Sequence, residues 1–108
     1  MMKRENSSPA LKDIYSWLRK NVFPEGYLVP ADKVIFEWTD SKKVNGFCSK
    51  SDKYILISRR LCSDPFRLYD VMINEMLHLR LNHHRKSFYN KQRELKKVLE
   101  QRSVKLIN

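Results

Sequence analysis

Asp64-Pro65-Phe66-Arg67-Leu68-Tyr69-Asp70-Val71-Met72-Ile73-Asn74-Glu75-Met76-Leu77-His78-Leu79-Arg80-Leu81-Asn82 is the stretch on which the fold turns. Asp64 is a helix-capping residue, Pro65 suits the first helical position, and nothing after it to Asn82 is glycine or proline. The spacing predicts one helix over residues 64 to 82. Its apolar members, Phe66, Leu68, Tyr69, Val71, Met72, Ile73, Met76, Leu77, Leu79 and Leu81, cover more than one face, so the helix is expected at the centre of the molecule.

Within it, Asn74-Glu75-Met76-Leu77-His78 places positions 74 and 78 on one face, about 6 Å apart along the axis, with Glu75 beside them. Two ligands at that spacing, with a glutamate next to the first, is the arrangement His-Glu-x-x-His of zinc peptidases. There two imidazoles hold the ion and the carboxylate takes a proton from metal-bound water. Here the first histidine is Asn74. A neutral amide oxygen suits harder cations than zinc, so zinc affinity should be weakened at least as much as by loss of an outer-shell partner, about 10- to 100-fold. Asp70 is one turn too far to replace it, about 12 Å along the axis from His78. His83 is a conceivable substitute ligand beside His84.

Upstream, Ser8-Pro9 opens a first amphipathic helix of about four turns, with Leu11, Ile14, Tyr15, Leu18 and Val22 on its inner face. Pro24, Gly26 and Pro30 mark a loop. Three runs of strand character follow, from Lys33 to Thr39, Val44 to Ser49 and Tyr54 to Ser58, and the simplest pairing is an antiparallel meander. Gly46 within the second run signals a bulge or a close backbone approach. After a polar turn at residues 82–86, a last helix is expected from Ser87, with Phe88, Gln92, Leu95 and Leu99 inward and Lys91, Arg93, Lys96 and Lys97 toward water. The whole reads as one α+β domain spanning residues 1–108. At that length roughly 65% of the unfolded surface is buried on folding.

The stretch Trp38 to Phe88 resembles the core of SprT-like (Spartan-type) metalloprotease domains. Shared features are a strand ending in tryptophan, a glycine-containing strand, the Ile55-Leu56-Ile57-Ser58 strand, a leucine before the motif helix, and the motif itself. The resemblance implies a zincin-like fold, Glu75 as catalytic base, His78 and the degenerate Asn74 as helix ligand positions, and His84, four residues before Phe88, as third ligand. It further implies zinc as cofactor and action on proteins attached to DNA. Two functions follow as expectations: a zinc metallopeptidase impaired by Asn74, or a pseudoprotease that binds nucleic acid or a protein partner.

The net charge of +10 is uneven. Lys and Arg number five against three acids in residues 1–30, eight against seven in 31–78, and nine against two in 79–108. Such a concentration is the electrostatic footprint of a polyanion partner, with Arg85, Lys86, Lys91, Arg93, Lys96 and Lys97 the expected nucleic-acid contacts. No recognition helix or zinc-finger pattern supports base-specific reading. Arg59-Arg60 reads as a phosphate contact or as a solvated loop.

Cys48 and Cys62 form neither a CxxC pair nor a disulfide framework and read as small buried residues. No apolar run has the length of a signal peptide or membrane span, so an intracellular, cytoplasmic or nuclear protein is expected, with no membrane partner.

Overall fold

The computed structural model describes residues 9–81 and 84–107. Helix α1 (Pro9–Asn21) leads through a loop and a short 3-10 turn to strands β1 (Ile35–Thr39), β2 (Gly46–Ser49) and β3 (Tyr54–Ser58), then to helices α2 (Pro65–His78) and α3 (Lys86–Ile107). The α+β class, the three helices and the three strands follow the sequence pattern; the expected Ser8 cap lies outside the described residues.

The strand pairing differs from the expected meander. Sheet order is β1-β3-β2, with β1 parallel to β3 and only β2 antiparallel to it. Burial explains the order: β3 buries Ile55 and Ile57 on one face and half-buries Leu56 on the other, so it takes the centre, while β2, with Gly46 and an exposed Phe47, is left at the edge. The β1–β2 connection spans the end of β3 and is tied there. Ser58 donates its backbone N–H to the Asn45 carbonyl at 2.9 Å, and Arg60 donates to Asn45 Oδ1 at 2.9 Å. Arg59 joins Asp40 at 2.9 Å. Both arginines therefore anchor this connection.

One face of the sheet, bearing Phe36, Ile55 and Ile57, meets the buried Leu11, Tyr15 and Leu18 of α1 and Met72, Ile73, Met76 and Leu77 of α2. Tyr15 packs on Phe36 with ring centroids 5.1 Å apart, and its hydroxyl donates to the Val29 carbonyl at 2.6 Å, pulling the loop onto α1. Phe88, Leu95 and Leu99 complete the core from α3. Each fully buried side chain of this size contributes about 1.5–3 kcal/mol.

Phe66 departs from expectation, standing 72% exposed in the first turn of α2, beyond the reach of the core. The helix also ends at His78, earlier than expected. The backbone N–H groups of Leu79 and Arg80 bond to carbonyls three residues back, tightening the turn. Arg80 then reaches the Tyr27 carbonyl at 2.9 Å. No glycine or proline at 79–81 announces this stop; tertiary partners impose it. Among the described residues no helix is long and apolar enough to cross a membrane.

Candidate functional site

Helix α2 crosses β2 and β3 and lays Asn74, Glu75 and His78 beneath the edge strand. The contact is close because Gly46 has no side chain: a Cβ there would meet Val71 Cγ1 at 2.9 Å and both Cγ and Oε2 of Glu75 at 3.0 Å. The close approach expected at Gly46 is thus what lets the carboxylate fit. Gly46, Phe47, Cys48 and Lys50 on one side and Asn74, Glu75, His78 and His84 on the other line a cleft of about 390 Å³.

At one end of the cleft two imidazoles converge. His78 Nδ1 lies 3.0 Å from the Leu81 carbonyl, which can only accept, so Nδ1 carries the proton and Nε2 offers a lone pair. That lone pair faces His84 Nε2 at 3.1 Å. Two nitrogens bound to one tetrahedral zinc at about 2.0–2.1 Å would stand roughly 3.3–3.4 Å apart, close to this separation. Phe88 supports both rings, stacked on His78 at 4.5 Å and edge-on to His84 at 5.3 Å. The pairing of His84 with Phe88 is therefore a physical contact as well as a sequence spacing.

At the other end the chemistry differs. Gln92 Nε2 donates to Asn74 Oδ1 at 2.6 Å, and Asn74 Nδ2 donates to Glu75 Oε2 at 3.4 Å, a long bond. The amide oxygen of Asn74 is occupied by α3, and its nitrogen faces the cleft. An N–H₂ group has no lone pair for a metal, so position 74 presents no ligand in this arrangement. Among the described residues no group of three or more His, Cys, Asp or Glu is placed to hold one ion. The donors do not fit a tetrahedral zinc site. His83 lies outside the described residues.

No family model, curated protein or solved structure matches the chain. The site must be read from its own geometry.

Glu75 is 7% exposed, and burial raises its carboxyl above the ordinary value, an effect opposed by the Asn74 amide and by His84. A group displaced in this way is suited to holding a proton in a cleft. Cys48, expected buried, is half-buried at the cleft wall; burial, with the charge of Glu75 adding, pushes its thiol up to about 12. It remains a thiol and is a poor nucleophile. Cys62, also expected buried, is exposed, because the 3-10 turn Arg59–Ser63 directs Leu61 inward instead.

The basic residues divide. Arg85, Lys86, Arg93 and Lys97 are exposed, and on a helix of 3.6 residues per turn Lys86, Arg93 and Lys97 fall within about 40° of one another. Lys96 is half-buried. Lys91 does not face open water as expected: its ammonium sits 5.3 Å from the centre of the Tyr27 ring and 3.4 Å from Glu94. The loop of residues 24–30, held to α1 by Tyr15 and Arg19, covers that side of α3. Gln92 was legible as a polar residue on an apolar stripe, which demands a buried partner. Its partner, Asn74, was not legible.

Proposed function

We propose that this domain is a SprT-like peptidase-type module without zinc catalysis, which binds nucleic acid without sequence preference through the outer face of α3 and acts there as a binding partner for nucleic-acid-associated proteins. The carrying observation is the orientation of Asn74, whose oxygen is held by Gln92 while its nitrogen faces Glu75. The exposed stripe Lys86, Arg93 and Lys97 supports the polyanion partner. A second reading, a zinc metallopeptidase with Glu75 as base, draws on the separation of the two imidazoles and on the buried carboxylate beside them. It requires a third donor.

Metal analysis of the purified protein and of Asn74→His separates the two. Substoichiometric zinc in the parent, rising toward one ion per chain in the variant, is the expected result; stoichiometric zinc in the parent defeats the non-catalytic reading. For nucleic acid, the expected slope of log affinity against log salt is about −4, with some five phosphates neutralised. A flat salt response removes the nucleic-acid assignment.

A further inference from the structure

Tyr89 has no part in the core and none in the cleft chemistry, yet its ring is held against two neighbours. It is 45% exposed on the first turns of α3. Its ring lies nearly parallel to that of His84, at 25° and 6.1 Å, and edge-on to the buried Phe88 at 5.5 Å. One side is therefore held while the other remains open to solvent.

Its surroundings along the helix are cationic or neutral, with no acid among them. Residues three or four and seven apart are neighbours on a helix surface, and for Tyr89 these are Lys86, Gln92, Arg93 and the half-buried Lys96, with Arg85 in the turn just before α3. No acidic side chain occupies any of those positions. A half-exposed aromatic ring flanked by cations suits a ligand that alternates a flat π-face with negative charge. Unpaired nucleic acid is that ligand: its bases stack on aromatic rings and its phosphates meet the surrounding cations. A duplex hides its base faces, and an acidic peptide lacks them.

We propose that Tyr89, backed by His84, is a stacking platform for a base of single-stranded nucleic acid, with Arg85, Lys86, Arg93 and Lys96 receiving the flanking phosphates. This rests on the nucleic-acid reading above and adds to it where an unpaired base goes. Sequence tolerance follows, since every base has a π-face.

The test compares a labelled oligothymidylate of about twelve nucleotides with an abasic deoxyribose-phosphate chain of equal length and charge, by fluorescence anisotropy. The parent should bind the oligothymidylate roughly 5- to 100-fold more tightly than the abasic chain. Tyr89→Phe should keep that preference. Tyr89→Ala should lose it, as should Tyr89→Leu, which still packs an apolar side chain on His84; neither should change the salt slope. Equal binding of both chains by the parent, or a preference that survives Tyr89→Ala, overturns the stacking platform while leaving the phosphate contacts intact. Failure to bind either chain sinks the nucleic-acid reading as well. Tighter binding of an acidic peptide of matched charge also overturns the proposal and assigns the surface to protein.

Discussion

The two ends of the cleft, one helical turn apart on α2, differ in chemistry. At the His78 end, two ring nitrogens face each other at 3.1 Å, one ring oriented by a backbone carbonyl and both supported by Phe88. At the Asn74 end, an amide is bonded to Gln92 on one side and to Glu75 on the other. The first arrangement is the kind a metal ligand needs, with one nitrogen turned toward the second ring and the other fixed by an outer partner. The second is a self-satisfied polar network that requires no ion. Zinc affinity depends on all its donors together, so a position without a donor at one end outweighs the facing nitrogens at the other.

The largest effect should come from removing the support of the histidine end. Phe88→Ala empties a fully buried site and should cost about 3–5 kcal/mol in chemical denaturation. It should also weaken the ring-to-ring NOE between His78 and His84, whose centroids lie 4.8 Å apart. An unchanged NOE would mean the pair does not rely on Phe88.

Restoring the amide end should come next. In Asn74→His the Gln92 amide, which donates through Nε2 in the parent, can turn to accept through Oε1 from the new ring's second N–H, so Asn74→His with Gln92→Leu should bind zinc about 10- to 100-fold more weakly than Asn74→His alone. Equal affinities, measured by competition with a chromophoric chelator, would show that Gln92 is only a partner for the amide.

Gly46→Ala tests the wall between the two ends. Its Cβ would press on Val71 and Glu75 at 2.9–3.0 Å, and overpacking of this kind costs about 1–3 kcal/mol. A Tm equal to that of the parent would indicate that β2 moves away without loss.

The smallest effect concerns protonation. Because burial raises the Glu75 carboxyl, the folded protein retains a proton that the unfolded chain releases from its ordinary value near 4.3 upward. Stability contributed by this group therefore falls as pH rises from that ordinary value through the raised one. Glu75→Gln removes the titration. Its stability relative to the parent should be lowest at acidic pH and increase toward neutral pH; a pH-independent difference would mean Glu75 titrates normally.

Much of this was written in local pattern. The proline-opened helices, the strand runs and the glycine at position 46 all follow from conformational preferences that act within a few residues. Glu75 and His78 share a helix face by their spacing, and both line one cleft with His84, whose place beside them the spacing did not give. Lys91 and the cysteines went otherwise, because burial depends on what packs above a residue. For Lys91 this was the loop carrying Tyr27, more than sixty positions away.

Sequence by itself determined the elements, the α+β class and the shared helix face of Asn74, Glu75 and His78, because helical and strand periodicities are set by backbone geometry and neighbouring side chains. Tertiary structure alone decided three things: the parallel pairing of β1 with β3, the end of α2 at His78, and the orientation of the Asn74 amide toward Gln92. Each depends on contacts between residues distant in the chain, and such contacts are selected by the packed arrangement as a whole.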